Sequence, residues 1–209
     1  MKTPLLAFLL CLFAYGAAQA QTYEVGLFGG LDRISHAPLG SASYTLPDPG
    51  DTTLHSTYSE GVWLTYNTNG YYGHEISFMD SPVTVSAILR ATINGVTVAE
   101  TAQDRVWVPQ INYNFLIYFM PKGERFRPFV TGGAQAEQYH EPNILNWTSG
   151  HTKHYGLNWG GGVKIKLFPH ALARIDVRDY IGGKPYDLPL FPGGFLHTYE
   201  ATAGVGVTF

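Results

Sequence analysis

Apolar and polar residues alternating with period two, connections that are long and short by turns, and no apolar run after residue 20 long enough for a membrane helix together predict an all-β fold. The architecture they predict is an eight-stranded antiparallel up-and-down transmembrane β-barrel. Composition agrees: the 209 residues include 24 Gly, 14 Tyr, 12 Phe and 4 Trp, and only 14% are charged. A soluble β-sandwich shares that composition, so strand pattern and loop lengths have to decide between the two.

Residues 1–20 read as a signal peptide outside the fold. Lys2 is followed by the apolar run 5–15 and then by Ala18-Gln19-Ala20, a small-residue cleavage site. The run is too short to span a bilayer. One barrel domain, 21–209, is expected to follow. Cys11, the only cysteine, falls in the leader, so neither a disulfide framework nor a thiolate metal site is expected. A net charge of −3 with both signs mixed gives no sign of nucleic acid as a partner.

The strands follow in order. Tyr23, Val25, Leu27 and Leu31 alternate with Glu24, Gly26, Gly30 and Asp32. Val62, Leu64 and Tyr66 alternate with Gly61, Thr65 and Asn67, with Trp63 on the second face. Tyr72, Ile76 and Phe78 oppose Gly73, Glu75 and Ser77. Residues 110–119 are the clearest case, with Ile111, Tyr113, Phe115, Ile117 and Phe119 on one face and Gln110, Asn112 and Asn114 on the other. In 127–139, Val130, Ala134 and Ala136 oppose Thr131, Gln135 and Glu137. In 155–168, Leu157, Trp159, Val163, Ile165 and Leu167 oppose glycines, Asn158, Lys164 and Lys166. Ala173, Ile175 and Val177 then oppose Arg174, Asp176 and Arg178. The last strand sets Tyr199, Val205, Val207 and Phe209 against Glu200, Thr202 and Thr208.

Long connections at 33–57, 80–104, 138–154 and 182–196 alternate with tight ones at 67–70, 120–126 and 168–171. A membrane barrel has this pattern because one rim carries short periplasmic turns and the other long extracellular loops. The apolar face then points to lipid and the polar face to the lumen, whereas in a sandwich the polar face would be the solvated outside. Tyr23, Tyr66, Tyr71, Tyr72, Tyr118, Tyr155, Trp159 and Tyr180 lie near strand ends, where aromatic girdles are expected. The lumen is expected to hold a charge network of Lys164, Lys166, Arg174, Asp176, Arg178, Glu137 and Glu200. Within it Asp176 should reach Lys164 or Lys166, and Arg178 should approach Glu200, because buried charges must pair.

These residues resemble a known group. The A-x-A leader, Arg127-Pro128-Phe129-Val130-Thr131-Gly132-Gly133-Ala134, Gly160-Gly161-Gly162-Val163-Lys164 and Arg174-Ile175-Asp176-Val177-Arg178-Asp179-Tyr180 are similar to the OmpA/OmpX-type eight-stranded outer-membrane β-barrel superfamily. The ending Ala203-Gly204-Val205-Gly206-Val207-Thr208-Phe209 is similar to the assembly signal of that family. The resemblance implies export to the outer membrane of a Gram-negative cell, as a monomer. It implies outer-membrane lipid as surroundings, and recognition of Phe209, Val207, Val205 and Tyr199 by the barrel-assembly machinery.

No catalytic constellation stands out, and neither cofactor nor metal is expected. His140, His151 and His154 share one long connection but fit no strong metal template. His74-Glu75-Ile76-Ser77 has the residue types of a lipid A-modifying barrel enzyme. Alternation, however, separates His74 from Glu75 and Ser77, and the nearby short turn makes this the periplasmic end. The expected function is therefore that of a structural or adhesive anchor, not an enzyme, whose four loops meet an extracellular protein or surface ligand. A narrow channel is the first alternative and a lipid A-modifying enzyme the second. Asn94-Gly95, flanked by β-branched residues, is the strongest hairpin signal in the chain. A two-residue turn there pairs Ile93 with Val96, so that paired positions sum to 189. It predicts a protruding ribbon over about 83–106, with a bulge or bend at Pro82 and Pro109.

Overall fold

The computed structural model describes residues 22–43, 46–55, 57–144, 147 and 152–209. The expected signal peptide and His151 lie outside the described residues. Among the described residues there are nine strands: β1 (Tyr23–Ile34), β2 (Thr52–His55), β3 (Tyr58–Asn67), β4 (Tyr72–Ile93), β5 (Val96–Tyr118), β6 (Phe126–Gln138), β7 (Lys153–Phe168), β8 (Ala171–Gly183) and β9 (Phe195–Thr208). All neighbours are antiparallel. The order β4-β3-β1-β9-β8-β7-β6-β5 closes through a β4–β5 pairing, giving an eight-stranded up-and-down barrel. The ninth strand, β2, pairs with β4 beyond the part that β3 covers (Thr52↔Ala87 to His55↔Thr84), in a stretch that the sequence reads as polar loop.

The pairing fixes the barrel's geometry. Stepping across paired residues from Tyr23 through Tyr66, His74, Phe115, Gly132, Trp159, Asp179 and Tyr199 returns to β1 at Arg33, ten residues above the start. With eight strands, a stagger of ten residues tilts each strand by about 40° from the barrel axis. Tyr23 and Arg33 are then about 25 Å apart along that axis, the height of the apolar band of such barrels.

Side chains follow the alternation. Leu27, Leu31, Phe78, Tyr113, Leu157, Trp159, Val177 and Val205 are exposed on the outside, while Glu24, Thr65, Glu75, Asn112, Asn114, Lys164, Arg174, Asp176, Arg178 and Glu200 are buried in the lumen. Tyr118 and Tyr180 are buried too, so neither belongs to a girdle; each has the inward parity of its strand. At the short-turn rim Tyr23 stacks on Tyr66 (5.1 Å between ring centroids) and on Phe209 (6.3 Å).

The β4–β5 ladder is unbroken from Tyr72↔Ile117 to Ile93↔Val96, and its paired positions sum to 189 throughout. The turn has Asn94 at φ 51° and Gly95 at φ 79°, the left-handed pair that matches strand twist. No register shift occurs at Pro82 or Pro109, contrary to the expected bulge. The reason lies in which way each proline nitrogen points. The Trp107 carbonyl accepts from the His140 N–H (3.3 Å), on the side away from β4, and Pro109, two residues on, faces the same way. Pro82 pairs with Trp107, so its nitrogen also points away from the shared ladder. Pro82 falls between the residues paired to β3, which end at Asp80, and those paired to β2, which start at Thr84; Pro109 lies just past the last β5–β6 pair. Neither proline removes a hydrogen bond of the β4–β5 ladder.

Candidate functional site

Two clusters of charge fill the lumen. Near the short-turn rim, the Lys164 ammonium pairs with Glu24 and donates to the Tyr118 hydroxyl (2.9 Å) and Thr65 Oγ1 (3.3 Å). Glu24 also accepts from Asn67 Nδ2 (2.9 Å) and faces Arg127 (3.6 Å), whose guanidinium lies 3.7 Å from the Tyr118 ring centroid. Deeper in, Glu75 is the hub. Its carboxylate accepts from both Nη atoms of Arg174 (2.5 and 3.1 Å), from Arg178 Nη2 (2.8 Å) and from Thr65 (2.8 Å). Asp176 closes the second side, facing Arg174 Nε (2.5 Å) and Arg178 Nε (3.4 Å) and accepting from Thr202 (3.0 Å).

The partners differ from those expected. Asp176 meets the two arginines of its own strand, not Lys164 or Lys166, because Glu24 from across the lumen takes Lys164. Lys166 instead lines a small void at the short-turn mouth with Glu24, Glu124 and Arg127. Arg178 turns to Glu75, while Glu200 accepts from Ser59 (2.6 Å) and Tyr180 (2.9 Å). Glu137 stands at the opposite end of the lumen and has no ion pair among the described residues. Sequence reasoning put Glu24 and Glu75 on the inward face but left both out of the network. Their signal was charge balance: the cations of β7 and β8 need acids from other strands.

Trp63 fills the remaining space. Its indole is 2% exposed and occupies a slot between glycines: a Cβ on Gly26 would overlap it, and one on Gly204 would lie 2.6 Å from it. The void beside Trp63, Glu75 and Arg178 is about 10 Å³ and that at the short-turn mouth about 20 Å³, room for about one water each.

Above the level of Arg33 the polarity of the wall inverts. Inward residues change from Asp32 to Ile34 on β1, from Ser81 to Val83 on β4 and from Gln110 to Val108 on β5. These three changes fall at one height once the strand tilt is counted. Val83, Val85, Ala87, Val106 and Val108 then pack with Leu39, Leu54, Tyr139, Ile144, Tyr186, Leu188 and Leu196 into an apolar cap over the barrel mouth. The described parts of the connections at 35–57, 139–152 and 184–194 thus fold over the ribbon, although the sequence reads these connections as polar loops. Asp51 ties the first of them down: it pairs with Arg90 of β4 and accepts from Ser41 (2.8 Å) and the Asp48 N–H (2.9 Å). Tyr186, at φ 70°, donates to the His140 carbonyl (2.7 Å). Burial, with Glu141 and Asp104 nearby, raises that hydroxyl above the usual phenol range and keeps it a donor.

The remaining predicted residues are placed as follows. Tyr199, Val205 and Val207 are exposed on the lipid side of β9, and Phe209 pairs through its N–H and carbonyl with Tyr23. Asn94 and Gly95 cap the β4–β5 hairpin. His74 faces outward and bonds the Tyr113 hydroxyl (2.8 Å), on the opposite side of the wall from Glu75 and Ser77. His140 contacts the Trp107 carbonyl and His154 packs edge-on to Tyr139, and no cluster of three metal-ligating side chains occurs among the described residues.

Comparison with known proteins agrees with this geometry. No curated protein matches the chain in sequence. Among solved structures, OprG of Pseudomonas aeruginosa superposes with a TM-score of 0.62 at 15% identity, over 91% of this chain and 96% of that one. Neisserial surface protein A gives 0.55 at 14% identity, over 91% and 99%. The N-terminal β-barrel domain of P. aeruginosa OprF gives 0.53 at 15%, over 91% and 100%. These likenesses establish a shared fold. The model of the outer membrane protein beta-barrel domain matches residues 5–209, so the chain belongs to that family of bacterial outer-membrane barrels.

Proposed function

We propose that the protein is a non-enzymatic anchor whose barrel holds a rigid extracellular platform, the cap and the β4–β5 ribbon, for adhesive contact with a protein or surface ligand. The observation that carries this reading is the unbroken β4–β5 ladder, which runs past the level of Arg33 to Asn94-Gly95. On one side of the ribbon β2 and the Ser43–Arg90 contact cover β4. On the other side, the odd-numbered residues of β5 from Thr97 to Gln103 direct their N–H and carbonyl groups away from β4, and no strand pairs with them among the described residues. Such an edge accepts an added strand. The channel reading is disfavoured by Trp63 and the Glu75 cluster, which fill the lumen.

Thr101→Pro removes one donor from the free edge and leaves the β4–β5 ladder intact. Cells displaying this variant at wild-type surface level should lose adhesion. Equal adhesion by the two would refute the ribbon edge as the contact. Purified wild type in planar bilayers should give no stable conductance, and a steady open level would revive the channel.

A further inference from the structure

Polar side chains gather on the outer surface where β8, β9 and β1 meet, at the upper edge of the apolar band. Arg33 follows the exposed Leu31 on the outer face of β1, Ser35 comes just past the end of that strand, and His197 precedes Tyr199 on the outer face of β9. Ser35 and His197 continue the β1–β9 register: the Ser35 N–H donates to the His197 carbonyl (2.8 Å), and the His197 N–H donates to Ser35 Oγ (3.2 Å). Asp179 of β8 faces the His197 ring, with both carboxylate oxygens 3.1 Å from Nδ1, and its side chain is 11% exposed. The ring lies over Tyr199, with centroids 6.1 Å apart and planes 22° from parallel. Asp179 and Tyr199 thus fix the ring, and no described residue bonds its Nε2. Arg33, diagonally across from His197 and within reach of it, has no ion pair among the described residues.

We propose that Arg33, Ser35 and His197 bind the phosphate of an outer-leaflet lipid headgroup, with Asp179 as a positioning residue. Height and chemistry both favour this occupant. Arg33 lies about 25 Å above Tyr23, where hydrocarbon gives way to headgroups. A guanidinium is matched to phosphate in shape and charge, and the His197 ring, held by Asp179 at Nδ1, adds a second polar contact through Nε2. The acyl chains of the same molecule would descend over Leu31 and Tyr199, both exposed on the outer face of the band. A free phosphate would gain nothing from those two residues, which is why a lipid is the ligand.

Native mass spectrometry of the full barrel in detergent tests this, with bis-phosphorylated lipid A, its dephosphorylated form and inorganic phosphate as probes. Wild type should retain one bis-phosphorylated lipid. Arg33→Gln or His197→Gln should weaken retention by about tenfold, a change of about 1.4 kcal/mol. Lys153→Gln, an exposed charge on β7, should leave it unchanged. Asp179→Asn should weaken retention in the wild-type background but not in His197→Gln, because it acts only through the ring. If Arg33→Gln does not insert, Arg33→Lys reads the same site, since it keeps the charge and loses the planar fork. Retention that survives the Arg33 and His197 changes, that does not depend on the lipid's phosphates, or that inorganic phosphate abolishes would overturn the proposal.

Discussion

Glu75 and Arg174, 99 residues apart in sequence, meet inside the lumen through two hydrogen bonds of 2.5 and 3.1 Å. This contact joins β4 to β8 across the barrel, and Arg178 and Asp176 complete it from the same side. A buried carboxylate between two guanidiniums compensates both, so its removal leaves two charges without their main partner.

Glu75→Ala should therefore destabilise the folded barrel by about 3–5 kcal/mol, and Asp176→Ala by a similar but smaller amount, because Glu75 still holds both arginines. Urea unfolding in detergent, followed by the mobility of unheated samples on gels, measures this. A Glu75→Ala barrel as stable as wild type would contradict the hub.

The slot around Trp63 predicts coupling. Gly26→Ala should cost about 1–3 kcal/mol by collision with the indole, and Trp63→Ala about 3–5 kcal/mol by leaving a cavity. The double change should cost clearly less than the two singles together, since each relieves the other. Strict additivity in the same assay would show that the residues do not share space.

The apolar cap should be separable from the barrel. Val85→Asp puts a charge into the cap core above the lumen, where Val85 is fully buried. Protease added to intact cells should then cleave the outer connections faster, while unheated barrel migrates as before. Loss of the folded barrel band in this variant would mean that cap and wall fold as one unit.

The chain end should act in assembly. Deleting Phe209 removes the residue whose backbone pairs with Tyr23 and whose ring packs on it. Fractionated cells should show the variant in the periplasm and then its loss, while wild type is found in the outer membrane. Normal outer-membrane levels would rule out the terminal Phe as a required signal.

Much of the wall was legible in the sequence because period two leaves each strand only one choice of face. Ile111, Tyr113 and Phe115 could not point to lipid unless Asn112 and Asn114 pointed inward. The Asn94-Gly95 turn carried register as well, since its two-residue geometry leaves no freedom in the β4–β5 pairing. Contacts across the lumen were not legible. Which acid meets Arg178 depends on the stagger between β4 and β8, which is set by the whole ring and by no local pattern. Tyr118 and Tyr180 lie near strand ends, as girdle residues do, but strand parity turns both inward and parity decides. The cap is not legible because Val83, Val85 and Ala87 satisfy the hairpin pattern by themselves, and only their inward parity, carried above the lipid, makes them core.

The unbroken hairpin has a mechanical consequence. A load applied at Asn94-Gly95 and directed away from the cell pulls β4 and β5 together along their own length, because the turn joins them covalently. The ladders that resist are β3–β4 and β5–β6, whose hydrogen bonds lie across the direction of pull. They are strained in shear, many bonds at once, and do not open one after another as in a hairpin pulled apart from its free ends. The tip is thus a grip whose tension passes straight into the membrane wall.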